Sequence, residues 1–227
     1  MINENNLQLI GTSHVSADSK AKIKSIFAEF KPDIICIELD AARFAALTNP
    51  DKKRGKPSIR QLGVTGYVFA IIGHALQKKM GNITGMTPGE EMMLGATLAK
   101  NNKLKLELID QDASTTLRNM SKKVKFSEKL KIVLDIFKAP FSKKMRLQID
   151  ITKIPDDEVI FTLLKLMKNR YPGFYRVLLD DRNRFMAKKI YFLMKANPEK
   201  KVMAIVGAGH IEGMKKHLKL LMDSNVY

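Results

Sequence analysis

The chain has 227 residues, of which 45% are hydrophobic and 28% are charged, a composition that fits a folded protein and excludes disorder. Its single cysteine, Cys36, excludes a disulfide framework, and neither a signal sequence nor an apolar run of roughly 18–20 residues is present, so we expect a cytoplasmic protein. The 40 Lys and Arg residues against 23 Asp and Glu give a formal charge of +17, which indicates an anionic partner.

The first forty residues have the pattern of a strand, a helix and a second strand. A short apolar run covers residues 7–10. Apolar residues at helical spacing then predict a helix that Ser16 or Asp18 caps and that ends at Phe30. Residues 34–37 are apolar throughout, which is typical of a strand buried on both faces of a parallel sheet. The length of the crossover suits two parallel strands.

The remaining elements make the chain rich in strands at both ends and helical in the middle. In chain order, the patterns predict a helix at 41–48, a basic loop at 49–56, a long helix at 59–79, a glycine-rich turn at 80–88, a helix at 89–100, a strand at 104–109, a lysine-rich helical region at about 114–195, a strand at 201–206 and a helix to about residue 222. We therefore predict an α/β fold, with a mostly parallel sheet core built from both termini and a helical insertion. The chain is predicted to be one domain, residues 1–227, with helical insertions at about 50–100 and 114–195 that carry the basic surface.

Positive charge is concentrated in residues 119–146, where nine basic residues stand against Glu128 and Asp135. A lysine-rich helix face that only keeps the protein in solution is one interpretation, and an anionic membrane surface as partner is another. Aromatic residues are only 7% of the chain and none alternates with the lysines in a stacking pattern, which disfavours a nucleic-acid partner. An insertion of this size is also compatible with a homodimer.

Titratable residues follow each predicted strand. Ligands of open parallel sheets bind outside the carboxyl ends of the strands, so we expect these side chains to share one edge: His14, Glu38, Asp40, Asp110, Asp112 and His210. Two histidines with carboxylates match the ligands of a divalent metal, Mn, Co or Zn. Such an ion lowers the pKa of a bound water and polarises a carbonyl.

The two histidines stand in the same local pattern, Gly11-Thr12-Ser13-His14 and Gly207-Ala208-Gly209-His210, each a Gly-x-x-His string after an apolar strand. A purely structural, hydrogen-bonding role for either histidine stays open. Glu38 at the mouth of a buried strand needs a partner, and Arg43 is the predicted one.

Several strings together resemble the TraB/PrgY family, also called the TraB/TIKI group, in the family's order and over nearly the whole chain. They are Gly11-Thr12-Ser13-His14-Val15-Ser16, Glu38-Leu39-Asp40 with Arg43, Pro88-Gly89-Glu90-Glu91-Met92, Leu108-Ile109-Asp110 with Thr116-Leu117-Arg118, Asp181-Arg182-Asn183 with Met186-Ala187, and Val206-Gly207-Ala208-Gly209-His210 with Gly213. Asp181 departs from the pattern, because the family usually has Glu there.

The resemblance implies a fold shared with erythromycin-esterase-like and ChaN-like proteins. TIKI-type relatives are described as metal-dependent proteases that favour manganese or cobalt, and PrgY-type relatives act in the shutdown of peptide pheromone. By analogy His14 and His210 would bind the metal with Glu38 or Glu91. Three arginines would line the pocket and stabilise a carboxylate or an oxyanion: Arg43, Arg118 and Arg182.

The resemblance therefore implies a metal-dependent hydrolase of peptide bonds in which Glu38 or Glu91, whichever does not bind the metal, is the general base. The alternative is a protein at a membrane surface that binds a peptide without cutting it. PrgY-type proteins usually continue into membrane spans after this domain, whereas this chain ends at Tyr227. We therefore expect membrane association, if it occurs, through a missing C-terminal region.

Overall fold

A computed structural model describes residues 4–12, 17–49, 58–63, 66–68, 70–71, 89–138 and 157–224. Its strands are β1 Leu7–Thr12, β2 Ile34–Ile37, β3 Lys105–Leu108 and β4 Val202–Gly207. Its helices are α1 Ala17–Phe30, α2 Ala41–Thr48, α3 Glu90–Asn101, α4 Ala113–Lys123, α5 Phe126–Lys138, α6 Asp157–Arg170, α7 Pro172–Tyr175, α8 Asp181–Ala196 and α9 Ala208–Asp223, with a π-helix at Arg176–Asp180. Within these ranges, no helix is both long enough and apolar enough to cross a membrane.

The chain divides into two compact units. The first contains Met1–Gly55, Met86–Ala113 and Leu179–Tyr227, and the second contains Lys56–Gly85 and Ser114–Leu178. Of the predicted long helix, residues 59–63, 66–68 and 70–71 are helical, whereas 72–79 lie outside the described residues. The description of the chain as one domain with two helical insertions stays a prediction.

The sheet of the first unit is parallel, and its strand order is β1-β4-β2-β3. Thr12 at the end of β1 lies opposite Gly207 at the end of β4, and Ile37 at the end of β2 lies opposite Ile205. The two strands nearest the chain ends are therefore neighbours, which confirms the predicted α/β core built from both termini.

Helices cover both faces of this sheet. Side chains alternate across a strand, so Val202, Ala204 and Val206 of β4 face one side and Met203 and Ile205 face the other. The first side packs against α8 and α9, and the second packs against α1 and α3. All six residues of β4 are buried, which explains why its sequence is an uninterrupted apolar run. Cys36 is also fully buried in this core, as its place in a strand predicts.

The second unit is held by a small core and by polar contacts. Met120, Val124 and Val177 are buried against one another. Asp135 of α5 accepts two hydrogen bonds from the Arg170 guanidinium, at 2.9 and 2.7 Å, and one from the Tyr171 hydroxyl. These contacts tie α5 to the end of α6.

The Asp135 contacts give a pH-dependent expectation. Hydrogen bonds from Arg170 and then from Tyr171 lower the pKa of the Asp135 carboxyl below its ordinary value. Because the folded-state pKa is the lower one, the stabilisation is complete above the unfolded-state pKa of about 4 and is lost as the pH falls through the folded-state value. A carboxyl NMR titration checks this. In Arg170→Gln the pKa of Asp135 should return toward its ordinary value, and no change in that variant would contradict the assignment.

Candidate functional site

Three carboxylates gather where β2 and β3 end. Glu38 directly follows β2, Asp40 is the N-cap of α2, and Asp110 lies two residues after β3. These three residues are buried, at 7%, 5% and 4% exposure. Buried carboxylates are costly unless they are paired, so cations have to accompany them.

Two arginines provide this pairing. Arg182, in the first turn of α8, donates from Nη2 to Glu38 Oε1 at 2.5 Å and to Asp110 Oδ2 at 2.7 Å, and from Nε to Asp110 Oδ1 at 3.0 Å. Arg43 donates from Nε to Asp40 Oδ2 at 2.7 Å and from Nη2 to Asp110 Oδ2. The prediction that Arg43 is the partner of Glu38 was therefore wrong. Arg43 is one turn along α2 and is used by Asp40 and Asp110, while the more buried Arg182 reaches Glu38.

The buried His210 lies beside Glu38. It is in the first turn of α9, and its Nε2 is 3.1 Å from Glu38 Oε1 while its Nδ1 is 2.5 Å from Asn183 Oδ1. A Cβ at Gly213 would lie 2.0 Å from Asn183 Nδ2, so only glycine allows Asn183 this close to α9. Asn183 therefore fixes the orientation of the imidazole ring.

We call these residues the strand-end cluster: Glu38, Asp40, Arg43, Asp110, Arg182, Asn183 and His210. Its three carboxylates exceed its two guanidinium groups by one negative charge. Both nitrogens of His210 face oxygen acceptors, so the ring satisfies both only with a proton on each nitrogen, or with another cation between Nε2 and Glu38. The cluster therefore favours one further positive charge beside Glu38.

The environment of Glu38 keeps it ionised. Burial alone would raise the pKa of this carboxyl, but the charge and hydrogen bond of His210 act in the opposite direction. The charge of Arg182 and the N–H of Gly207, which donates to Oε2 at 2.7 Å, add to this effect. The pKa of Glu38 therefore lies well below its ordinary value.

The other predicted site residues have different outcomes. His14 lies outside the described residues. Arg118 is an exposed residue of α4 in the second unit. Glu91, in the first turn of α3, is fully buried, and among the described residues neither of its oxygens has a hydrogen-bond partner. Because α3 leads into β3 of a parallel sheet, its first turn lies toward the carboxyl ends of the strands.

Two side chains of the strand-end cluster, His210 and Glu38, have the chemistry of metal ligands. Bonds of about 2.0–2.1 Å place two ligand atoms of one tetrahedral zinc ion about 3.3 Å apart, slightly more than the 3.1 Å between His210 Nε2 and Glu38 Oε1. The bond from Nδ1 to Asn183 is the kind that orients metal-binding histidines. However, no three His, Cys, Asp or Glu side chains there form a group that could hold a metal. The described residues therefore offer a metal ion at most the pair His210 and Glu38.

Sequence reasoning gave no role to Asn183 and no partners to Asp40 and Asp110. Asn183 follows Arg182 in the first turn of α8, so both residues lie near the same edge of the sheet. The signal that could have identified Asn183 is its contact with Gly213 on the facing helix. This contact can be recognised only once α8 and α9 are known to pack together.

The sequence of the chain is similar to those of several known proteins. The sequence profile of the TraB/PrgY/gumN family matches residues 2–226. The chain is similar to the uncharacterized protein MJ1365 of Methanocaldococcus jannaschii, with 35% identity over 227 residues that cover 99% of this chain and 56% of that protein. It is also similar to TraB domain-containing proteins of Mus musculus and Homo sapiens, each 21% identical over 237 residues that cover 92% of this chain and 61% of theirs. The chain thus spans little more than half the length of these relatives.

Proposed function

The chain belongs to the TraB/PrgY/gumN family, and from this premise and the strand-end cluster we propose that it is a metal-dependent peptide hydrolase. The observation that carries the proposal is the buried pair of His210 and Glu38, whose facing atoms are 3.1 Å apart in a cluster with three carboxylates and two guanidinium groups. With a neutral His210, a divalent cation, Mn, Co or Zn, would balance the third carboxylate.

His14, His210 and Glu38 are the proposed ligands of this cation. When bound, the ion would lower the pKa of a water molecule and polarise the peptide carbonyl. The register supports His14 as the missing donor, since it follows β1 by two residues and β1 ends beside Gly207. Asn183 would hold the His210 ring with Nε2 toward the site.

Glu91 is the better candidate for the general base. Glu38 has a lowered pKa, and its two oxygens already accept from Arg182 and Gly207, which makes it a weak base. Glu91 has two oxygens that no described residue engages, so they are available to take a proton from water. Arg43, whose side chain is 32% exposed, has further N–H groups that could bind the carboxylate of a peptide.

Metal content and peptide cleavage test this proposal together. We expect the wild-type chain, dialysed against Mn²⁺, Co²⁺ or Zn²⁺, to retain stoichiometric metal and to cleave peptides, as measured by elemental analysis and mass spectrometry. His14→Ala and His210→Ala should lose both properties. His217→Ala is the matched control, because His217 lies on the same helix as His210 but pairs with Asp180. A wild-type chain with neither metal nor cleavage would remove the proposal.

A second candidate function is peptide capture without cleavage at a membrane surface. The observation that favours it is that Arg182 Nη2 lies 2.5 Å from Glu38 Oε1, the oxygen that faces His210, so this oxygen already has a cationic partner within the chain. This function predicts peptide affinity that survives chelation, with no cleaved product.

A further inference from the structure

Helix α5 of the second unit has an apolar stripe that faces solvent. Phe126, Leu130 and Leu134 follow one another at intervals of four residues, so they lie in one line along the helix. They are 79%, 49% and 45% exposed. Three large apolar side chains exposed in a single line usually mark an interaction surface.

The acidic side chains of α5 bind other groups of the second unit. Both of its acidic residues are used by the second unit itself: Glu128 accepts from the N–H groups of Gly173 and Phe174 at 3.2 and 2.7 Å, and Asp135 accepts from Arg170. The neighbouring lysines stay nearer the surface. Lys125, which precedes Phe126, is exposed. Lys131, which follows Leu130, is also exposed, and its hydrogen bond to the carbonyl oxygen of Arg170 is long at 3.4 Å.

The surrounding surface has the same sign. Among the described residues of the second unit, 12 are Lys or Arg and 4 are Asp or Glu. All four acidic residues lie on α5 and α6, and those of α5 are already paired. The exposed side of α5 is therefore both apolar and positively charged.

We propose that α5 is an interfacial membrane-binding helix that lies flat on an anionic lipid bilayer. Phe126, Leu130 and Leu134 insert among the upper acyl chains, and the lysines contact acidic headgroups, which is the pattern of amphipathic helices that bind at a membrane surface. The inference does not depend on what the strand-end cluster does.

The apolar stripe decides between a bilayer and other partners. A nucleic acid would use the lysines, but its phosphate backbone offers nothing to Leu130 and Leu134. A second copy of the chain would bury the leucines, but it would bring two positively charged faces together. An anionic bilayer satisfies the leucines and the lysines at once.

Flotation of the full chain with vesicles tests the proposal. We expect binding to phosphatidylcholine vesicles that contain phosphatidylserine and little binding to pure phosphatidylcholine. Leu130→Gln/Leu134→Gln should weaken binding at least about tenfold, because the stripe no longer inserts. Lys125→Gln/Lys131→Gln should weaken it roughly fivefold per lysine and should reduce its salt dependence. The control is Leu220→Gln, which changes an equally exposed leucine on α9 and should bind as the wild type does.

Four outcomes would overturn the proposal. The first is absence of binding to acidic vesicles, and the second is binding that Leu130→Gln/Leu134→Gln leaves unchanged. The third is a duplex DNA affinity that exceeds vesicle affinity and depends on the lysines alone. The fourth is a dimer that the leucine variant dissociates. The substituted side chains are exposed, so circular dichroism should show an unchanged fold in every variant.

Discussion

Arg182→Met should lower the free energy of unfolding by about 3–5 kcal/mol, the largest effect that we expect from a single substitution in the described residues. The guanidinium of Arg182 is 13% exposed and contacts both Glu38 and Asp110. Methionine keeps much of the side-chain volume, but it leaves the two buried carboxylates without the positive charge and hydrogen bonds of the guanidinium. Urea unfolding followed by circular dichroism measures the change.

Arg184→Met is the matched control for this experiment. Arg184 is two residues along α8, is 59% exposed and lies 3.5 Å from Asp180, so its loss should change stability by no more than about 0.5 kcal/mol. Equal effects of the two substitutions would show that the strand-end cluster does not depend on Arg182. Arg182→Lys should also be destabilising, because a single ammonium group cannot reproduce the three hydrogen bonds of the guanidinium.

Gly213→Ala should have the second largest effect, about 1–3 kcal/mol of destabilisation together with loss of the His210 orientation. The new methyl group would lie 2.0 Å from Asn183 Nδ2 and 2.8 Å from its Cγ. Asn183 must therefore move, and His210 Nδ1 loses its acceptor. The ¹⁵N chemical shifts of the imidazole report the change of the ring, and chemical denaturation reports the change of stability.

A double-mutant cycle separates this clash from a general effect on the helix. Asn183→Ala alone removes the acceptor of His210 and should cost about 1–3 kcal/mol. In that background Gly213→Ala has no amide to displace, so its additional cost should nearly vanish. If the two costs add in full, the contact between Asn183 and Gly213 is not the reason for the glycine.

The fold was largely predictable because its strands are buried on both faces. A strand of that kind has to be apolar throughout, so β2 and β4 can be recognised in the sequence as short apolar runs. Helix α2 was predicted with its observed bounds, and the structure shows Asp40 as its N-cap. The order of the strands was not predictable, because nothing local in β4 tells that it lies between β1 and β2.

The sequence predicted which residues meet at the candidate site better than it predicted which of them pair with one another. The rule that ligands bind at the carboxyl ends of parallel strands brought Glu38, Asp110 and His210 to one edge. Arg182 is 144 residues from Glu38 in sequence, so its position beside Glu38 depends on how the chain folds. For this reason the nearby Arg43 was predicted as the partner of Glu38, although the partner is Arg182. The buried, unpartnered state of Glu91 also depends on packing that the sequence does not state.

The position of β4 has a consequence for how the protein is made. β1 and β2 are each hydrogen-bonded to β4, so both lack that neighbour until residues 202–207 have emerged from the ribosome. During translation, β1 and β2 therefore each have an unpaired edge while the residues between β2 and β4 are being added. Ribosome-stalled chains that stop before β4 should therefore be captured by chaperones and digested by proteases, and those that expose it should become resistant.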